Sequence, residues 1–258
     1  MSTKQTTLDT QELEQRVKDM YREVAEEPFN EFHFETGRQL AERLGYPSDQ
    51  LDAIPPSSID SFAGVGYYFD LAAIAAGETV VDLGSGSGTD SFLAANQTAE
   101  GRVIGIDMTD AQLAKATRLA TEHGFANVEF RNSYIEQLPL DSGSADVVIS
   151  NGVINLSPDK TRVFAEAARV LRPGGRFAIA DIVTNTQLPE GVTCDAALWA
   201  ACIGGAMQRD DYREAIEAAG FEIDDLKEND QYHFVSERAD NATKKYGVKS
   251  VSLLAIKR

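Results

Sequence analysis

Apolar positions fall into two rhythms along the chain. Thr10 to Val24 spaces its apolar residues three and four apart among charges, and Glu31 to Leu44 does the same, so two amphipathic helices are predicted before the Pro55-Pro56 stop. Ser61 to Tyr68 (SFAGVGYY) is an aromatic and glycine segment, and Gly77 marks the turn after it. From there short apolar runs alternate with helical patterns. Strands are predicted at Thr79 to Leu83, Val103 to Asp107, Val128 to Asn132, Ala145 to Ser150 and Arg176 to Ala180, with helices at Thr89 to Ala95, Asp110 to His123 and Lys160 to Val170. Leu171-Arg-Pro-Gly-Gly175 stops the last of these helices. A helix at Arg209 to Ala219 and two strands, Phe221 to Leu226 and Ser250 to Ile256, close the sequence. Such alternation specifies an α/β fold with a mostly parallel sheet covered on both faces. The expected organisation is a helical N-terminal cap over 1–70, a nucleoside-binding core over 71–185, and an insertion with sheet-completing strands over 186–258.

The most informative stretch is VVDLGSGSGTD, Val80 to Asp90, followed by GRVIGIDM with Asp107 nineteen residues beyond Gly88. A buried strand, a glycine turn, a helix start and an acid closing the next strand form a nucleoside site: the glycines allow close approach, and the acid accepts ribose hydroxyls. Dinucleotide sites use G-x-G-x-x-G to seat a pyrophosphate on the helix N-terminus. Here Thr89 stands at the place of the last glycine, and Asp82 precedes the turn by two residues. This G-x-G-x-G form resembles motif I of class I S-adenosylmethionine-dependent methyltransferases. The resemblance implies a Rossmann-like sheet of seven strands, mostly parallel with an antiparallel last strand, and S-adenosylmethionine as cofactor. That ligand has no phosphate and carries a sulfonium and an ammonium, which acids near the turn suit. Candidate cofactor-binding residues are Asp82, Gly84, Ser85, Gly86, Gly88, Asp107, Met108, Ile135, Glu136 and Asn151.

Composition narrows the ligand class. Of 258 residues, 41 are Asp or Glu and 24 are Lys or Arg, a net charge of −17 that repels nucleic-acid phosphates and anionic membranes. The acid excess is spread along the chain, as in proteins of salty interiors where screening removes the repulsion. No apolar run approaches the roughly 18 residues that span a bilayer, and the first twenty residues lack a signal core, so a cytoplasmic protein acting on a small molecule is expected. Two cysteines, Cys194 and Cys202, are too few for a disulfide scaffold, and no His/Cys cluster has zinc-ligand spacing. The oligomeric state is left open.

Beyond the third strand, Ser133-Tyr-Ile-Glu136 before Leu138-Pro139 is similar to the adenine-binding segment of those methyltransferases. Tyr134 stands where many relatives have a carboxylate for the adenine amino group, which implies recognition by backbone groups of Ile135 and Glu136. ISNGVINLSPDK after the fourth strand, with IEQLPL before it and ACIGGA after the LRPGG strand, resembles the arsenite methyltransferases over roughly Gly77 to Met207. That family holds trivalent arsenic on cysteine thiolates, as soft ligands favour. Gly152 stands at one of its cysteine positions and Val65 at another, while Cys202 is retained.

The expected activity is therefore methyl transfer to a small soft nucleophile, with sulfide or a small thiol such as methanethiol ahead of arsenite. A thiolate needs little activation beyond alignment and water exclusion. Tyr67, Tyr68, Trp199 and Tyr232 are available to wall the acceptor pocket, and catalytic candidates are Tyr67, Tyr68, His33, His233 and Cys202. The alternatives are arsenite methylation with a reduced cysteine set, an oxygen, nitrogen or carbon acceptor served by a histidine base, and a non-catalytic S-adenosylmethionine-binding protein.

Overall fold

A computed structural model describes residues 9–193, 199, 203–235 and 237–258. The N-terminal helices are α1 (Thr10–Glu26), α2 (Arg38–Leu44), α3 (Ser48–Asp52), α4 (Pro56–Asp60) and α5 (Phe69–Ala72). The sheet and its crossovers follow as β1 (Thr79–Leu83), α6 (Thr89–Thr98), β2 (Arg102–Asp107), α7 (Asp110–His123), β3 (Val128–Asn132), β4 (Ala145–Asn151), α8 (Lys160–Val170) and β5 (Leu171–Thr184). Then come α9 (Glu190–Thr193), β6 (Met207–Gln208), α10 (Arg209–Ala218), β7 (Phe221–Glu228), α11 (Glu237–Tyr246) and β8 (Lys249–Lys257).

Strand order is β3-β2-β1-β4-β5-β8-β7, with the short β6 pairing parallel to β5. β1 through β5 are mutually parallel, and β8 runs antiparallel to both β5 and β7. This is the expected Rossmann-like sheet with one antiparallel strand near its end; the two-residue β6 makes eight strands rather than seven. Progression outward reverses between β1 and β4. Such a switch point opens a crevice beyond the carboxyl ends of the strands.

Alternation along each parallel strand sends consecutive apolar side chains to opposite faces. Val80, Val103 and Val147 pack with Phe92, Leu119 and the cap residues Leu13, Leu40 and Phe62 on one face. Val81, Ile104 and Val148 pack with Phe164, Phe177, Ile216 and Phe221 on the other. The near-continuous apolar runs of the sequence thus reflect burial on both sides.

Several boundaries depart from the sequence reading, three of them for a visible reason. The helix expected from Glu31 begins at Arg38, because Gly37 at φ +89° lies outside helical space and its N–H donates to Phe62 O instead. α6 runs to Thr98, and Thr98 Oγ1 donates to Glu78 O at 2.6 Å, tying its end to the start of β1. β5 begins at Leu171 rather than Arg176, since the LRPGG segment resumes pairing opposite Ala145 across a register shift.

Phe177 is wholly buried, stacked on Phe221 with ring centroids 5.2 Å apart and edge-on to Phe164 at 6.2 Å. Phe177→Ala is expected to lower unfolding free energy by roughly 3–5 kcal/mol through lost transfer energy and a residual cavity. Urea denaturation checks it.

Candidate functional site

A cavity of about 570 Å³ occupies the crevice at the switch point. Its floor is the turn after β1. Gly84 takes φ +73°, and a Cβ there would meet Val153 at 2.4 Å, so only glycine lets the chain turn under the ligand space. Gly88 does different work. Its added Cβ would strike Phe92 at 2.8 Å and Phe130 at 2.9 Å, so it lets α6 settle on the sheet, and it does not line the cavity. The remaining candidates, Asp82, Gly84, Ser85, Gly86, Asp107, Met108, Ile135, Glu136 and Asn151, all do.

Asp107 closes β2 and is set by the turn itself. Its Oδ2 accepts from Gly86 N at 2.9 Å and its Oδ1 from Thr109 N at 2.8 Å. Enclosure by protein raises its pKa, and these backbone donors oppose the rise. Ser85 lines the cavity, but its Oγ is buried without a hydrogen-bond partner and lies against β2, 2.8 Å from where a Cβ on Gly105 would stand.

Two further carboxylates are buried beside the turn. Asp82 accepts from Ser91 Oγ at 2.6 Å, and its pKa is pushed up to about 8, first by burial and then by the neighbouring Asp90 charge. Asp90 accepts from Tyr68 OH at 2.6 Å, Tyr46 OH at 2.8 Å and Asn151 Nδ2 at 3.1 Å. Burial raises the Asp90 pKa, and those three donors oppose it. Asn151 Oδ1 also accepts from Val65 N at 2.7 Å, so this side chain fixes the 64–66 loop as well as lining the site.

At the far end, Ser157 Oγ donates to Glu136 Oε1 and Arg162 Nε donates to Glu136 O at 3.1 Å. α1 roofs the cavity with Leu13, Glu14, Val17 and Tyr21. Its C-terminal half is pinned by Gln112 Nε2 to Tyr21 O at 2.8 Å, Ser61 Oγ to Val24 O at 2.8 Å and Lys115 Nζ to Ala25 O at 2.9 Å.

The catalytic candidates sit elsewhere. Tyr68 is wholly buried and spends its hydroxyl on Asp90, so it positions the site rather than walling it. Tyr67 packs edge-on to Tyr46 at 5.0 Å, outside the cavity lining. His33 lies against Phe34 on the outer side of α1, and His233 is exposed. Neither histidine lines the cavity. Cys194 and Cys202 lie outside the described residues. Trp199 is buried with its ring 4.6 Å from Lys160 Nζ, and Tyr232 packs against Phe234 at 5.1 Å; neither lines the cavity. Gly152 and Val65 touch: a Cβ on Gly152 would lie 3.1 Å from Val65 Cγ1. Tyr46 and the α1 residues were missed because each enters from a segment remote in sequence, and Asp90 because it stands just past the glycines that motif logic counts. TD after the glycine turn was the available hint.

A methyltransferase domain family model matches residues 74–220. The arsenite methyltransferase of Halobacterium salinarum is 43% identical over 198 residues, covering 76% of this chain and 50% of that protein. The human arsenite methyltransferase is 40% identical over 152 residues, covering 55% of this chain and 40% of that one. The chain thus spans about half the length, or less, of these curated relatives. The crystal structure of an arsenic(III) S-adenosylmethionine methyltransferase from Chlamydomonas reinhardtii superposes with a TM-score of 0.63 at 29% identity, covering 85% of this chain and 73% of that one.

A folded state that holds the Asp82 proton more tightly than the unfolded chain loses stability as pH rises between the two pKa values. Between about pH 4 and pH 8 the folded form binds more protons at this site, so its stabilisation relative to the unfolded chain is greatest at low pH and is lost through pH 8. Asp82→Asn should flatten that part of the profile and make the ligand-free protein more stable at pH 8. Urea midpoints at pH 5 and pH 8 for both proteins check the sign.

Proposed function

This chain belongs to the methyltransferase domain family, and from that premise we propose that it transfers the methyl group of S-adenosylmethionine to a small soft acceptor that brings its own sulfur. The observation that carries the cofactor half is the Asp107 carboxylate, held by Gly86 N and Thr109 N and lining the same cavity as the Gly84 to Gly86 turn. When bound, the cofactor supplies an electrophilic methyl on a sulfonium, and the acceptor's lone pair forms the new bond as the carbon–sulfur bond breaks and a neutral thioether leaves.

The chain's own residues supply binding, orientation and water exclusion. Asp107, held by two backbone donors, accepts the ribose hydroxyls. The adjacent Asp82 and Asp90 hold a proton beside the turn that a cationic amino-acid end and sulfonium would displace, so ligand charge and acid ionisation favour each other. α1 covers the cavity and keeps bulk water from the reacting atoms.

The names of the relatives put arsenite first among acceptors, ahead of the free thiol that the sequence alone favoured. Gly152 and Val65 offer no thiolate, which supports an arsenic that arrives already bound to thiols. The same lack of thiolates is met by the second reading, a free small thiol as acceptor. In both cases the sulfur comes with the substrate.

Two measurements test this. Asp107→Ala should weaken S-adenosylmethionine binding roughly 10- to 100-fold in calorimetry, the loss of charge-assisted hydrogen bonds; unchanged affinity would sink the cofactor assignment. Product analysis with arsenite alone, arsenite with excess glutathione, and methanethiol alone should show methylated arsenic that depends strongly on the added thiol. Efficient arsenite methylation without any thiol would show that the protein supplies the arsenic ligands itself, and methylation of methanethiol alone would favour the second reading.

A further inference from the structure

Adenine presents an amino group that needs an acceptor, and several acceptors along the far wall of the cavity are already engaged. Tyr134 O takes Gln137 N at 3.1 Å, and Gln137 O takes Ser133 Oγ at 2.7 Å. Glu136 O takes Arg162 Nε, and Glu136 Oε1 takes Ser157 Oγ. One carboxylate at this end comes from outside the core. Glu14, one turn into α1, lines the cavity, and its Oε1 accepts from Tyr134 OH at 2.6 Å and from Lys18 Nζ at 2.7 Å.

Resting on the cofactor reading above, we propose that Glu14 is the residue that reads the adenine amino group, delivered by the cap helix and aimed by Tyr134. Both bonds to Glu14 converge on Oε1, which leaves Oε2 for the base. Lys18 lies 5.0 Å from the centre of the Tyr134 ring and 3.0 Å from its hydroxyl, so the three side chains form one unit spanning lid and loop. The bond from Lys18, foremost, holds the Glu14 carboxyl below its ordinary range, which keeps it an acceptor at neutral pH. Because the acceptor rides on α1, seating the base and closing the N-terminal half of the roof are one event.

A 6-oxo base offers an oxygen where adenine offers an amino group, so the carboxylate should reject it. Calorimetric titration of the full chain with S-adenosylhomocysteine and with S-inosylhomocysteine reads that discrimination directly. The parent should prefer the adenosyl ligand, and Glu14→Ala should narrow the preference by roughly tenfold or more, as expected for one hydrogen bond to a charged group. Glu14→Asp should restore part of it, and Tyr134→Phe should lose part of it by releasing the carboxylate. An adenosyl preference of the same size in parent and Glu14→Ala overturns the role of Glu14 while leaving the cofactor reading intact. A parent that binds neither ligand overturns both. Glu14 is partly exposed on a surface helix, so these substitutions leave the core packing untouched.

Discussion

The buried carboxylate of Asp90 is the constraint on which the rest of the architecture depends. An ionised carboxylate taken out of water is strongly destabilising unless donors replace its hydration. No cation touches it among the described residues; Tyr46, Tyr68 and Asn151 supply neutral donors instead. Those three come from the segment after α2, the segment before α5 and the end of β4. One charge therefore obliges the cap, the glycine-turn helix and the central strand to meet in a single arrangement. Through Asn151 the same network sets the 64–66 loop, where a Cβ on Gly64 would strike the Asn151 amide at 2.6 Å.

Electrostatics then links this scaffold to its ligand. Asp82 stands beside Asp90, and the repulsion between them adds to burial in lifting the Asp82 pKa to about 8. Two adjacent buried carboxylates hold on to a proton until a cation arrives. A sulfonium with an ammonium is such a cation and draws the pair toward ionisation, whereas a pyrophosphate would meet the Asp107 carboxylate and leave the proton on Asp82 in place. The choice between a methyl donor and a dinucleotide, read in the sequence from one glycine's spacing, is thus made a second time by charge.

What was legible in the sequence was local. β1, the glycine turn, β2 and Asp107 lie within one βαβ unit, where apolar runs and glycines determine both the path and the ligand face. The limits of α7, α8 and β3 matched the reading for the same reason. Motif logic counts glycines without asking which face each serves; Gly88 lies outside the cavity lining and makes room for Phe92 and Phe130. Tyr67 and Tyr68 looked like pocket walls because aromatic residues beside glycines suit a small hydrophobic acceptor. In the fold they are claimed by Tyr46 packing and by Asp90. The sequence placed α1 in a helical cap, but Glu14 and Tyr134 are 120 residues apart, and no local pattern reports that meeting.

The cap therefore has two halves with different physical standing. Tyr46 and the pinned end of α1 are part of the folding unit: removing the Tyr46 hydroxyl leaves Asp90 short of a donor inside the core, at the desolvation cost of an unmet charge. A chain beginning near Ser61 would lose that hydroxyl, so the sheet cannot be treated as independent of the residues before it. The N-terminal half of α1 is held mainly by its apolar face and by the partly exposed Glu14, Lys18 and Tyr134 group, where each polar contact contributes little in water. Stability thus falls along α1 from its pinned end toward its start, and segments at the low end of that range are the ones that open. That gradient sets the weakly held half of α1, which carries Leu13, Glu14 and Val17, directly against the cavity.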